Sequence, residues 1–245
     1  MIIKAIKTRK FIPPKDDLWE LLSESIKSLS EKSIVVITSK VVAIGEGDCI
    51  EVSKIDRDKL IMAEADKYLP RDLSPQGLVI QTIKNNMLIA SAGVDESNGN
   101  GYFILWPKDP QKSAKEIWEF LRKKFKVKEL GVIITDSRLT PLRAGVVGYA
   151  IGYFGFKPIK DYRGKLDIFG RKFKMETSNI PDSLASAAVL EMGEGAENQP
   201  VAIISDISLE FSEESYSVNI EDKKDMFYPF LSSVKWIKGG SGKNR

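Results

Sequence analysis

A mixed α+β fold, with strands and helices interleaved in one α/β chain, is predicted by three observations. Short β-branched apolar runs recur, as SIVVIT at Ser33 to Thr38, GVIIT at Gly131 to Thr135 and PVAIIS at Pro200 to Ser205. Segments with apolar residues at helical spacing lie between them. A block dense in glycine, aromatics and isolated charges follows Asp136 and reads as turn-rich β structure.

Residues 2 to 6 read as a strand. Leu18, Leu21, Leu22, Ile26 and Leu29 then recur at helical spacing after Asp16 and Asp17, acids suited to a first turn. The buried strand Ser33 to Thr38 passes into Ser39, Lys40 and a GEGD turn at Gly45 to Asp48. Asp56 to Leu69 reads as a helix with Leu60, Ile61, Ala65 and Tyr68 on one side. GLVIQTIK and MLIASAG flank Asn85-Asn86, and two asparagines tolerate the positive φ of a tight hairpin turn. This hairpin delivers Asp95 and Asn98 to its exit. A strand at Tyr102 to Trp106, a helix from about Ser113 to Lys126 and the strand Gly131 to Thr135 follow. Pro181 suits the start of a helix through SLASAAVLEM, which stops at Gly193-Glu194-Gly195 before the strand PVAIIS. No internal repeat, low-complexity linker or sharp change of composition divides the chain. It is expected to form one catalytic unit over residues 1–235, followed by a mobile tail over 236–245.

Composition narrows the chemistry. With 245 residues, 42% hydrophobic and 29% charged, the chain can bury a substantial core. Its 37 basic and 34 acidic side chains leave a net charge of +3, too little to imply nucleic acid or a membrane by bulk attraction. Cys49 is the single cysteine and no charged, apolar leader is evident, so cytoplasm is the expected compartment. There is no histidine, which removes Ser-His-Asp triads, Cys-His pairs and imidazole-based zinc sites. Hard oxygen-ligated cations and electrostatic catalysis by lysine or arginine remain.

Two glycine motifs fail on their spacing. GSGKN at Gly240 to Asn244 has Ile237 where a phosphate-binding loop needs its first glycine, and no GxGxxG follows a strand. The run Arg122 to Lys128 reads as a solvated helix end, where lysines complement the carbonyl dipole. Lys7 to Lys10 reads first as an ordinary surface loop, with Arg9 as the candidate for a nucleotide phosphate. Asp95, Asp136 and Glu194 each follow an apolar element beside glycine, serine or threonine. Singly, each reads as a turn or cap residue. Together, in a chain without histidine, they point to a shared divalent cation.

Read together, SAGVDESN, the block from Ile133 through Arg171, and LEMGEG followed by PVAII resemble the coenzyme F420-0:L-glutamate ligase family, F420 being a deazaflavin cofactor. The motifs AGxDxSN, TDS, AGVVGYAIG, DYRGKLDIFGR and MGEG occur in fixed order across nearly the whole chain. The resemblance implies a gamma-glutamyl ligase-like fold with largely antiparallel sheets, assembled as an intertwined homodimer. It implies a GTP-dependent enzyme that adds L-glutamate to a carboxylate-bearing small-molecule acceptor, with release of GDP and phosphate. GTP as co-substrate and magnesium or manganese are implied with it, and potassium is admitted as a further ion. Nucleic-acid and membrane partners are not. Position by position, Asp95, Asp136, Ser137 and Glu194 match metal ligands, and Asn98 matches a nucleotide contact. Arg9, Lys10, Phe11 and Ile12, then Ser39 and Lys40, then Met192 to Gln199 with Gly193 and Gly195, match further nucleotide-contacting stretches.

The residues agree with that chemistry. A carboxylate reacts with an amine only after one oxygen becomes a good leaving group, which phosphorylation supplies. Forming an acyl phosphate needs positive charge around the transferring phosphoryl group, and carboxylate-held cations with lysine or arginine provide it without histidine. Lys40 and Arg143 are the candidates for that stabilisation. After Asp136 the chain reads Ser137-Arg-Leu-Thr-Pro-Leu-Arg143 where the family has a glycine-arginine pair and an aromatic. Ile44 stands where the family has lysine, and Asp182-Ser183 stands where it has Asp-Glu. These departures bear on the acceptor, so a folate or another carboxylate is the alternative substrate, and a non-catalytic nucleotide-binding homologue is the alternative of another class.

Overall fold

The computed structural model describes residues 1–243, and side chains of Asp17, Asp56, Asp109 and Asn179 cap the starts of four of its helices. The chain opens with β1 (Ile2–Ile6) and α1 (Leu18–Ser25). Asp17 caps α1 by accepting the Glu20 N–H at 2.9 Å. β2 (Ser33–Thr38) is followed without a break by α2 (Ser39–Glu46), then β3 (Cys49–Glu51) and α3 (Arg57–Glu64). β4 (Lys67–Tyr68), β5 (Gln81–Lys84), β6 (Met87–Ala90) and β7 (Tyr102–Ile104) come next. α4 (Pro110–Phe125) precedes the long hairpin of β8 (Leu130–Leu139) and β9 (Val146–Phe154). β10 (Ile159–Asp161), β11 (Thr177–Asn179), α5 (Ile180–Met192), β12 (Val201–Ser205), α6 (Tyr228–Leu231) and β13 (Ile237–Lys238) complete the order.

Four sheets result, and nearly all pairing is antiparallel. The largest has five strands in the order β1-β12-β2-β8-β9, with β2 and β8 its parallel neighbours. A four-stranded sheet, β13-β4-β5-β6, and the pairs β3-β7 and β10-β11 are antiparallel throughout. The fold is therefore mixed α+β with mostly antiparallel sheets.

Strand alternation divides the core. Val35, Ile37, Val132 and Ile134 point to one face and pack with Leu21, Leu22, Ile117 and Leu121 of α1 and α4. Ile34, Val36 and Ile133 point to the other and meet Leu184, Ala185 and Ala188 of α5. Each such fully buried aliphatic side chain contributes about 1.5–3 kcal/mol. Gly148 permits the close crossing of α5 over β9, since a Cβ there would lie 2.5 Å from Val189 Cγ2. A third cluster, with Leu60, Ile61, Ile80 and Phe103, fills the lobe between α3 and the β5-β6 hairpin. That hairpin turns at Asn85 and Asn86 with φ of 49° and 61°, as their sequence predicts.

Several expectations need correction. The segment after Thr38 is a helix rather than a polar turn, and Gly47 ends it with φ of 82°. Eight residues with two valines carry little periodic signal; burial of Val41, Val42, Ala43 and Ile44 stabilises the helix instead. α3 stops at Glu64, and Tyr68, read as part of its apolar side, lies in β4. The strands expected from Gly77 and to Trp106 are shorter, beginning at Gln81 and ending at Ile104. β8 runs on through Asp136 and Ser137, which pair with Tyr149 and Gly148 across a register shift at Ile134/Thr135. Asp136 thus sits within a strand, not on a loop.

The terminal glycines cap α3. Gly240, Gly242 and Ser241 donate backbone N–H groups to the carbonyls of Met62, Ala63 and Ala65 at 2.9–3.0 Å, so these donors do not form a phosphate cradle. Asn244 and Arg245 lie outside the described residues. Among the described residues no helix is long and apolar enough to cross a membrane.

Candidate active site

β2 and β8 run parallel and in register up to Thr38 and Thr135, so the residues just beyond those two positions lie side by side at one edge. After β2 come Ser39 and Lys40, opening α2; after Thr135 come Asp136 and Ser137. Ser39 is buried, and no side chain caps the N–H groups of the first turn of α2. The β5-β6 hairpin brings SAGVDESN to the same edge, and α5 brings Gly193-Glu194-Gly195.

Side-chain contacts, together with the pairing of β2 with β8, close these four segments into a ring. Lys40 Nζ lies 2.9 Å from Asp95 Oδ2 and donates to the Ser97 carbonyl at 2.7 Å and to Ser97 Oγ at 3.0 Å. Asn98 Nδ2 donates to the Gly195 carbonyl at 3.1 Å. Ser137 Oγ donates to Glu194 Oε1 at 2.6 Å. Asp136 accepts the Ser137 N–H at 2.8 Å on one oxygen and the Trp106 indole N–H on the other. Asp95 and Lys40 both lie close enough to Asp136 for their charges to act on it. The sequence placed Asp95, Asp136 and Glu194 on separate segments; the fold brings them together.

The two acids next to one another titrate in opposite directions. Burial of the Asp136 carboxyl, with the negative charge of Asp95 nearby, pushes it up to about 6, against the pull of the Trp106 and Ser137 donors. Burial works against ionisation of Asp95 too, but the Lys40 ammonium and the Ser97 donors outweigh it and hold Asp95 below the usual carboxylate range.

The donor set, three carboxylates and one hydroxyl, consists of hard oxygens and fits magnesium or manganese in type. In the present arrangement Ser137 bonds Glu194 and Asp95 bonds Lys40. Among the described residues no three His, Cys, Asp or Glu side chains already surround one point as a cage.

The remaining candidates divide. Arg9 is held by Asp16, with Nη1 to Oδ2 at 2.7 Å and Nη2 to Oδ1 at 2.9 Å, and by Glu20 at 3.1 Å. Its segment adjoins the site indirectly: Thr8 N–H donates to the Asn198 carbonyl, and Glu197 accepts the Gly195 N–H at 2.8 Å. Lys10 is exposed, Phe11 packs against the core, and Ile12 gives its N–H to Asp16. Met192, the last residue of α5, is buried in the core beside Leu184, Ala185 and Ala188. Arg143 stands on the exposed turn between β8 and β9 and makes no ion pair among the described residues. Ile44, where the resembled family has lysine, is 2% exposed in the core.

Three residues at the site had no sequence signal of their role. Trp106 ends an apolar run and reads as core. Ser97 lies within SAGVDESN, where Asp95 and Asn98 are the residues singled out. Arg138, over the Tyr149 ring at 4.9 Å and 3.5 Å from Asp182, reads as one more loop cation. A cavity of about 490 Å³ between α1, α2 and α4, lined by Asp17, Trp19, Glu46 and Ser113, includes none of the ring residues.

Comparison with known proteins gives a consistent result. Residues 6–206 match the family model described as F420-0:Gamma-glutamyl ligase. A protein of Methanopyrus kandleri named coenzyme F420:L-glutamate ligase is 36% identical over 219 residues, covering 82% of this chain and 85% of its own. Proteins of the same name from Methanosarcina acetivorans and Methanocaldococcus jannaschii are each 34% identical, covering 82% and 78% of this chain and 84% and 82% of theirs.

Proposed function

The chain belongs to the F420-0:gamma-glutamyl ligase family, and from that premise we propose that it is a glutamate ligase that joins L-glutamate to a carboxylate acceptor, F420-0 first among them, at the expense of GTP. The observation that carries this reading is the ring of contacts from Lys40 through Ser97, Asn98, Gly195 and Glu194 to Ser137 and Asp136. It gathers a lysine, three carboxylates, two hydroxyls and a helix N-terminus at one sheet edge.

In the proposed reaction an acceptor carboxylate oxygen attacks the γ-phosphorus of GTP, the bond to the bridging oxygen breaks, and GDP leaves. The amine of L-glutamate then attacks the acyl carbon, phosphate departs, and the amine proton is lost as the amide forms. Lys40 and the first turn of α2 supply positive charge for nucleotide phosphates. Asn98, through its bond to Gly195, keeps the SAGVDESN loop against the loop after α5, so the nucleotide meets both as one surface. Asp95, Asp136, Ser137 and Glu194 would hold magnesium or manganese, which offsets charge on the transferring phosphoryl oxygens when bound.

The Ser137 to Arg143 stretch that departs from the family pattern forms the end of β8 and the exposed turn beyond it, with Arg143 available to an anionic group. A folate or other carboxylate is therefore the second substrate to offer. The arms beyond the site carry exposed apolar residues: Leu142 and Val146 at the β8-β9 turn, and Ile168 and Phe169 between β10 and β11. Their exposure favours the intertwined homodimer, with a second copy of the chain covering them. Purified chain supplied with GTP, L-glutamate, a divalent cation and each acceptor in turn tests the reading. A glutamylated product is expected, and nucleotide binding with no phosphate release on any acceptor would favour a non-catalytic homologue.

A further inference from the structure

Beneath the ring of site residues lies a buried group that the reaction above does not use. Lys84, at the end of β5, and Glu64, at the end of α3, form an ion pair of 2.7 Å with side chains only 8% and 3% exposed. Lys84 Nζ lies 5.5 Å from the centre of the Trp106 ring and donates to the Ala92 carbonyl at 3.3 Å. Thr82 Oγ1 accepts the Ala92 N–H at 2.9 Å, so both backbone groups of Ala92 are fixed while its φ is 50°. Ala92 and Gly93 lead directly to Asp95. Gly93 lies flat on the indole, where a Cβ would come within 2.2 Å of Trp106 Nε1. The same indole gives its N–H to Asp136.

Trp106 is therefore in contact with both segments that carry the paired acids. It touches the backbone of the loop bearing Asp95 and bonds the carboxylate of Asp136. Indole is a donor only, and its bond takes one lone pair of an oxygen that has another left. Apolar residues of similar volume would fill the space of Lys84 and Glu64 without desolvating two charges, so stability alone does not account for that pair.

We propose that Trp106, supported from below by the Lys84–Glu64 pair, is a positioning residue that fixes the Asp136 carboxylate relative to Asp95 and thereby sets the divalent-cation affinity of the site. This rests on the cation-binding role proposed above for the two acids. Groups that orient metal ligands from behind typically change affinity 10–100-fold when removed.

The test is a calorimetric titration of the full chain with Mn²⁺, comparing the parent with Trp106→Phe and Asp136→Asn, each checked for folding by circular dichroism. Trp106→Phe should weaken Mn²⁺ binding 10–100-fold. The Trp106 indole N–H proton resonance, assigned by its loss in Trp106→Phe, should move when Mg²⁺ is added to the parent. An unchanged Mn²⁺ affinity in Trp106→Phe, or a resonance indifferent to Mg²⁺, overturns the proposal while loss of binding in Asp136→Asn leaves the functional reading standing. Asp136→Asn binding Mn²⁺ as tightly as the parent overturns both. Where Trp106→Phe does not fold, Lys84→Met/Glu64→Leu takes its place, with a several-fold weakening expected and unchanged affinity contradicting the proposal.

Discussion

Ser137 and Glu194, 57 positions apart in sequence, share a hydrogen bond of 2.6 Å that joins strand β8 to the loop ending helix α5. The contact ties the far end of β8 in the main sheet to the glycine turn that follows α5. It also makes the Ser137 hydroxyl, which the family resemblance gives as a cation ligand, part of the same group as a carboxylate.

Ser137→Ala should raise the Mg²⁺ concentration needed for half-maximal GTP turnover by about 10–100-fold. Ser137→Thr, which keeps the hydroxyl, should stay within about twofold of the parent. Equal Mg²⁺ dependence of the alanine variant and the parent would remove Ser137 from the site.

The proposed cation binding should depend on pH through Asp136. Its carboxyl, pushed up to about 6 chiefly by burial, must lose a proton before it can ligate a cation. Mn²⁺ affinity should be level above about pH 7 and fall as pH drops through about 6, approaching a tenfold loss per unit below it. The sign is set by competition: the raised value makes the proton a stronger rival at mildly acid pH. Calorimetric titrations between pH 5 and pH 8 check this, and a flat profile across about pH 6 would contradict it.

Arg9 and Asp16 make a prediction about stability. The two hydrogen bonds from Arg9 hold Asp16 down to about 2, and the Asp16 side chain is only 17% exposed. A depressed folded value gives stability that is present above the unfolded value of about 3.9 and lost as pH falls toward about 2. Asp16→Asn should therefore lower stability by about 2 kcal/mol at pH 7, or about 4–8 °C in Tm. The gap should narrow as pH drops below about 4. Urea denaturation of both proteins at neutral and acid pH measures it, and a gap independent of pH would assign the loss to something other than ionisation.

The exposed arm predicts an assembly. Ile168 and Phe169 are 91% and 83% exposed, far more than apolar side chains of that size favour in a free chain. Light scattering should give about twice the 27.4 kDa of one chain, and Ile168→Glu/Phe169→Glu should return a folded monomer. A parent that is monomeric at micromolar concentration would leave the arms without the partner proposed here.

The legible and illegible parts of this molecule separate by physical cause. Strands such as Ser33–Thr38 and Val201–Ser205 were readable because a doubly covered strand needs an unbroken apolar run. The Asn85-Asn86 turn was readable because few residues adopt two successive positive φ values. α2 was not, since eight residues give too short a period and its stability comes from burial. Asp136 and Ser137 within β8 were read as a loop because polar residues at a strand end carry no sign that a partner strand continues beside them. The acids themselves stood out beside glycine, serine or threonine after apolar elements, but their convergence depends on the parallel pairing of β2 with β8 and on the path of α5, which no local pattern encodes. Trp106 gave no signal, because a tryptophan that ends an apolar run looks the same whether it fills a core or holds a carboxylate.

Mass spectrometry of the products formed by the purified chain with F420-0, L-glutamate, GTP and Mg²⁺, alongside folate and ATP as alternatives and Asp136→Asn as the control, decides whether the chain is a glutamate ligase. An acceptor heavier by one glutamyl unit is expected, with one GDP and one phosphate released per amide formed, and no product from Asp136→Asn. No glutamylated product from any acceptor with either nucleotide, or equal product from Asp136→Asn, would contradict that reading.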